Sequence, residues 1–408
     1  MNIRCFDFNV TIVINMIHTL KKILRNNSFI TTVIFSVLKT YQRLIQLLCG
    51  VRNNQIVFMS FRGKQYSDNT RAISEKLHEL DSTFNIIWVF DNPSLKMNHI
   101  PAYVTPIKIF SLAYYYYLAT SKFWVDNNRK NGHVYKSKKQ VYILTWHGDR
   151  AMKKIGYDQP ANFSRKVDRI LENEICDYIV TGSKFGESMY KTAFAYNGKY
   201  LAVGSPRNDR LMNPNLTEIK KIKQSLQVQD SHILLYAPTF RKEYDHNHKK
   251  QPIEHIDLVQ VVNSLEQITK KKWICFIRSH NYVKGLQLEA KDPRIIDYSD
   301  YDDMADLLLI ADLLITDYSS CATDFILTNK PVILFQADYE TYLSHEREFY
   351  YNIETTGFAI AKSQAELIEM LPNLDEIALL NETIKEFYGT YETGRAATLV
   401  AENIISLK

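Results

Sequence analysis

At 408 residues, 46% apolar and 23% charged, the chain has globular composition, which argues against a disordered or fibrous protein and leaves room for two domains and an appendage. The net charge of +5 lies in residues 1–50, which hold six basic residues and one acidic residue and leave 44 of each sign elsewhere, so a general nucleic-acid binder is disfavoured. The five cysteines are scattered without a CxxC pair, which fits a reducing compartment and speaks against structural zinc.

The first apolar stretch, from Phe8, offers only 13 uncharged residues before Lys21, too few to span a bilayer, and it lacks a small-residue cleavage site. The second, Ser28 to Leu48, places Ile30, Val33, Ile34, Val37, Leu38, Tyr41, Leu44, Ile45 and Leu48 at helical spacing, with Thr31, Lys39, Gln42, Arg43 and Gln46 on the other side. That pattern predicts an amphipathic helix with a basic polar face, suited either to an anionic membrane surface or to packing on the adjacent domain. Residues 1–52 are accordingly read as membrane-associating helices.

From residue 53 short apolar runs alternate with helical patterns. Strands are predicted at Gln55–Phe61, Phe84–Phe90, Lys122–Asp126, Val141–Thr145, Tyr178–Thr181 and Tyr200–Val203, with helices at Asn69–Leu80, Phe110–Ala119 and Lys184–Phe194. The pattern restarts after a polar helix near 217–227. Strands His232–Ala237, Trp273–Ile277, Leu313–Thr316 and Pro331–Phe335 interleave with helices Ile256–Thr269, Asp302–Ala311 and Ser320–Thr328, and the last forty residues read as helical. The expectation is α/β: two domains, 53–228 and 229–408, with parallel sheets covered on both faces and a cleft at the carboxyl ends of the strands.

In such a fold the residues just past each strand face the cleft. In the second half these positions carry Pro238-Thr239-Phe240-Arg241, Arg278-Ser279-His280 and Asp317-Tyr318-Ser319-Ser320. Ser319 or Ser320 at a helix start offers unpaired N–H groups to an anion, and Arg241 and Arg278 are suited to clamping phosphate oxygens. Each alone is equally explained as a cap or an ion pair, but three together favour a diphosphate ligand. In the first half, Trp146-His147-Gly148-Asp149 comes after one strand and Gly204-Ser-Pro-Arg-Asn-Asp209 after another. The acidic run Ser299–Asp306 reads as a helix cap rather than a metal cage.

These segments resemble the CDP-glycerol glycerophosphotransferase family of teichoic acid synthesis. The matching motifs are TWHG (145–148) with KKIG (153–156), GSPRND (204–209), YAPTFR (236–241), RSH (278–280) and SDYDDMADLLLIADLLITDYSS (299–320). The resemblance implies a GT-B-like fold of two Rossmann-like domains. It also implies transfer of a polyol phosphate from CDP-glycerol or CDP-ribitol to a lipid-linked saccharide or teichoic acid acceptor, with release of CMP at the cytoplasmic face of a bacterial membrane. His147 is then the expected base and His280 a second essential residue. Thr239, Arg241, Arg278, Ser279, Asp317, Ser319 and Ser320 are expected on the donor side. Gly148, Asp149, Arg207, Asn208 and Asp209 are expected at the acceptor side of the cleft, and no metal is expected. Two loops depart from the family: WHGDRAMKK stands where WHGTPLK is usual, and Thr355-Thr356-Gly357-Phe358 where a Pro-Gly-Pro segment is usual. Both bear on the acceptor. The same cleft would also suit a glycosyltransferase using a nucleotide-sugar.

Overall fold

The computed structural model describes residues 28–95, 100–130, 132–159, 175–239, 256–279, 292–345 and 348–408. Arg241 and His280 lie outside these residues, as does the stretch from Phe8 to Leu24.

Two all-parallel sheets form. The first comprises β1 (Arg52–Met59), β2 (Asn85–Phe90), β3 (Val104–Lys108), β4 (Ser121–Asp126), β5 (Val141–Leu144), β6 (Tyr178–Thr181) and β7 (Lys199–Ala202), in the order β3-β2-β1-β4-β5-β6-β7. The second comprises β8 (His232–Ala237), β9 (Trp273–Ile277), β10 (Ile295–Asp297), β11 (Leu313–Thr316), β12 (Val332–Phe335) and β13 (Ala359–Ala361), in the order β10-β9-β8-β11-β12-β13. Alternate residues of one strand enter different cores. Val57 and Met59 join Trp124 and Leu144 on one face, while Ile56 and Phe58 join Phe123 and Ile143 on the other. Burial on both faces is why these strands read as unbroken apolar runs.

In both sheets the order reverses direction beside the first strand, between β1 and β4 and between β8 and β11. A crevice opens beyond the strand ends at such a point because the connecting helices leave to opposite faces. Segments after β1, β4 and β5 thus face segments after β8 and β11.

The two sheets are joined on both sides of this crevice. Residues 152–155 pair with 348–350: Lys154 N donates to Glu348 O at 2.8 Å and Tyr350 N to Met152 O at 2.9 Å. The last helix, Ala396–Ser406, buries Val400, Ala401 and Ile404 in the core of the first sheet. The expected second domain, 229–408, therefore gives its final helix back to the first, because that apolar face completes the layer over β1, β2 and β4.

Helix α1 (Ser28–Cys49) forms as the spacing predicts, but its polar face is divided: Arg43 is exposed while the glutamines turn inward. Gln42 is fully buried, with Nε2 donating to His133 O and Oε1 accepting from Tyr135 N. Gln46 donates to Ala119 O. These glutamines satisfy backbone groups of a loop and of a helix C-terminus. The apolar set is split instead: Ile34, Leu38, Tyr41 and Ile45 are partly buried, while Phe29, Val33, Val37, Leu44, Leu47 and Leu48 are exposed. Among the described residues, no helix is long and apolar enough to cross a membrane.

Candidate active site

A cavity of about 370 Å³ occupies the crevice between the sheets. From the first sheet it takes Phe61, Asp68, Trp146, His147, Gly148, Arg207 and Asn208. From the second it takes Pro238, Thr239, Arg278, Ser279, Ser319 and Ser320. Residues predicted from separate strand ends thus share one space.

His147 is placed by a turn under strain. The preceding residue, Trp146, adopts φ 49°, and Phe61, Arg62 and Asp68 are also in the left-handed region, which L residues other than glycine avoid. Such conformations persist only where neighbouring contacts hold them. The permissive residue after His147 does not carry the turn, since Gly148 has no positive φ and a Cβ built there meets Ser320 Oγ at an ordinary 3.5 Å. Gly148 instead marks where the two halves touch.

The imidazole of His147 stacks on Trp146, with ring centroids 4.3 Å apart, and tilts against Phe61. Its Nδ1 lies 2.8 Å from the carbonyl oxygen of Asn127, just past β4. A carbonyl only accepts, so the proton sits on Nδ1 and Nε2 is left as the basic nitrogen. Burial lowers the pKa below that of an ordinary histidine. The Asn127 hydrogen bond and the Asp68 carboxylate oppose this, and Arg207 and Arg62 reinforce it. The ring is therefore neutral near pH 7 and able to take up a proton.

On the facing side, Thr239 is pinned by Asp317, which accepts from Thr239 N at 2.9 Å and from Thr239 Oγ1 at 2.5 Å, and also from Tyr318 N. Asp317, expected among the donor ligands, is not among the cavity's lining residues and spends its carboxylate holding the strand end. Arg278 lines the cavity and donates to the carbonyls of Ser279 and Ser299. Ser279 shares a 2.7 Å hydrogen bond with Ser299. Ser319 and Ser320 line the cavity immediately before helix Cys321–Phe325.

Four residues expected at the acceptor side do other work. Asp149 turns into the first sheet, accepting from Thr181 Oγ1 at 2.8 Å and Ser183 Oγ at 2.6 Å. It presses so close to Gly186 that a Cβ there would lie 2.0 Å from its oxygen. Asp209 accepts from Ala396 N and Ala397 N, capping the last helix, and burial raises its pKa to about 6. Arg207 does line the cavity, but its guanidinium is engaged by Asp68 at 2.6 Å and Asp324 at 2.8 Å. Asn208 donates to Asp324 and Glu392.

The sequence reading missed this buried network: Asp68, Asn69, Asn127, Asp324 and Glu392. Glu392, arriving from the C-terminal segment, receives Arg150 at 2.8 Å and Ser205 N at 3.0 Å. Asp324 binds Arg150 and Arg207 together, and despite burial these guanidiniums hold its carboxyl below the usual range. The helix-start Asp-Asn in Ser67–Asn69 was a usable signal for part of it; nothing local marks Glu392. Among the described residues, no cluster of metal-ligating side chains occurs.

Comparison with known proteins identifies the family. Residues 40–406 match the family model described as CDP-glycerol:poly(glycerophosphate) glycerophosphotransferase. The chain is 32% identical to the teichoic acid glycerol-phosphate transferase of Staphylococcus aureus, over 95% of this chain and 99% of that protein. It is 31% identical to the teichoic acid poly(glycerol phosphate) polymerase of Bacillus spizizenii, over 89% and 94%. The solved structure of the wall teichoic acid polymerase TagF superposes with a TM-score of 0.78 at 26% identity, covering 96% of this chain and 98% of that one. The chain belongs to the CDP-glycerol:poly(glycerophosphate) glycerophosphotransferase family.

Proposed function

We propose that this protein transfers a polyol phosphate, glycerol phosphate first of all, from a CDP-polyol to a hydroxyl of a teichoic acid-type acceptor. The observation that carries the reading is His147: a neutral histidine with Nδ1 committed to Asn127, placed in one cavity with Ser319, Ser320, Thr239 and Arg278. His147 Nε2 takes the proton of the acceptor hydroxyl as the oxygen bonds to the polyol phosphorus. The P–O bond to the cytidine monophosphate breaks, and CMP leaves with the electron pair. Arg278 and the N–H groups after Ser319 suit the charge on the leaving phosphate. Arg241 and His280 are assigned to the same donor side on the family resemblance, and the scheme needs no metal.

The two facing sheets support a GT-B-like organisation, with residues 53–228 plus the last helix as one half and the remainder from 229 as the other. We also place the enzyme at the cytoplasmic membrane face, since α1 presents Leu44, Leu47 and Leu48 to solvent beside a basic first fifty residues.

The test is release of free nucleotide from CDP-glycerol, CDP-ribitol and UDP-sugars with a lipid-linked acceptor. CMP release is expected, and His147→Ala lowers kcat at least about 100-fold. UDP release, or full activity of His147→Ala, would overturn the reading.

A further inference from the structure

We infer that the Asp68–Asn69 pair at the start of helix α2 (Asp68–Leu80) is the positioning element that keeps His147 in register with Ser319–Ser320, acting through Arg207 and Asp324. The inference rests on the reading of His147 as base. Both side chains have two arms, one to the base-bearing side and one to Arg207. Asp68 accepts from Asn127 Nδ2, and Asn127 holds His147 Nδ1 through its carbonyl. The other oxygen of Asp68 receives Arg207 Nη1 at 2.6 Å. Asn69 Nδ2 donates to Trp146 O at 3.1 Å, bracing the strained turn before His147, and Asn69 Oδ1 accepts from Arg207 N at 3.0 Å. Arg207 then reaches across the crevice to Asp324, donating from Nη2 at 2.8 Å and from Nε at 3.2 Å. Asp324 lies in helix Cys321–Phe325, whose first turn follows Ser319–Ser320. A continuous path of hydrogen bonds thus runs from the base to the facing helix start.

Two further observations set this apart from incidental packing. Asp68 holds φ 69°, a conformation it would leave without these partners. Arg207 stands between two carboxylates, so it presents no excess positive charge to a phosphate and is a tie rather than a substrate clamp. Asn127 is saturated in the same way: its Nδ2 also donates to Ser60 Oγ, and its Oδ1 accepts from Phe61 N.

Among the described residues, the charged groups bearing on His147 are Asp68, Arg207 and Arg62. Removing the carboxylate of Asp68 takes away a charge that favours the imidazolium and keeps the two guanidiniums that disfavour it, so a protonated His147 becomes harder to form.

The experiment uses the full chain. Asn69→Ala removes both arms of a side chain that does not line the cavity. Its expected effect is a fall in kcat for CMP release of about 10- to 100-fold, with the KM for CDP-glycerol moving less than about twofold. Asp68→Asn is expected to lower kcat and to move the His147 titration to lower pH. That titration is read by NMR of ring-15N-histidine protein, the signal being assigned by its loss in His147→Gln. The NMR arm does not depend on turnover: if the unsubstituted protein releases no CMP, the proposed function fails while the shift still decides the positioning role. Circular dichroism confirms folding, and if Asn69→Ala does not fold, Asn69→Asp, which keeps the oxygen for Arg207 N but loses the donor to Trp146, replaces it. Unchanged kcat in the Asn69 variant, a raised KM at constant kcat, or an unmoved His147 titration in Asp68→Asn would each overturn the inference.

Discussion

Asp149 shows how a residue beside the candidate base can turn its side chain into the sheet rather than line the cavity. In sequence it departs from the family at the position after His147-Gly148, which points to altered specificity. In the structure its carboxylate is the acceptor for Thr181 and Ser183, and Ser183 caps helix Lys184–Ala193 by accepting from Gly186 N. Asp149→Ala removes that acceptor and leaves the buried Ser183 hydroxyl without it, while Thr181 keeps the Ser183 carbonyl, a loss of about 1–3 kcal/mol. A lower midpoint in thermal unfolding is expected, with the acceptor KM little changed; a large change in KM at unaltered stability would return Asp149 to the cleft. Sequence showed the strand-end residues because chemistry at those positions has a distinctive composition. It did not show Asp68, Asn69, Asn127, Asp324 or Glu392, because a carboxylate or amide at a helix start or in a loop reads first as a cap or a solvated charge. Only the fold reveals that these five share one buried network.

Among the elements, the ten strands predicted all form, and among the described residues three others were missed: β3, β10 and β13. Each of the three is the edge of its sheet. β3 contains Pro106, tolerated at an edge where no ladder donor is needed, and β10 and β13 span three residues each, too short for a periodicity to show. Helix α1 was legible as a helix but not in its docking, because its polar residues serve the domain. His133 lies under that helix, enclosed by Phe35, Phe110, Tyr114 and Tyr115, and both ring nitrogens find no hydrogen-bond partner among the described residues. Burial, with the charges of Lys130 and Lys39 adding to it, lowers its pKa to about 4. The unfolded chain takes up a proton below pH 6.5 while the folded chain does not, so stability is full above 6.5 and falls as pH drops towards 4. The loss approaches roughly 3 kcal/mol, about 2 of it by pH 5. His133→Phe is expected to keep most of the stability at pH 7 and to remove this part of the acid sensitivity. Urea unfolding at pH 7 and pH 5 measures both, and an unchanged pH dependence would sink the assignment.

At the scale of the molecule, the crevice is bounded on one side by the paired segments 152–155 and 348–350 and on another by the charge network ending at Glu392. Two sheets tied in this way present a formed cavity, and the surface left to vary is the outer side of α1. Leu47 and Leu48 are 81% and 82% exposed there, continued along the helix by Leu44, Val37, Val33 and Phe29. Burying a leucine side chain contributes about 1.5–3 kcal/mol, and these residues come from one helix side, so their contributions to insertion in a headgroup layer act together. Exchanging Leu47 and Leu48 for glutamate removes that gain and adds charge opposed to anionic lipid. Binding to vesicles containing anionic lipid is therefore expected to fall more than about 100-fold. Because both side chains point away from the domain, the fold and CMP release on a soluble acceptor analogue should be retained. Raising salt should weaken binding of the unsubstituted protein without abolishing it, since the apolar part is not screened. Co-sedimentation at two salt concentrations separates the two contributions. Undiminished partitioning of the double variant would show that α1 does not meet the membrane.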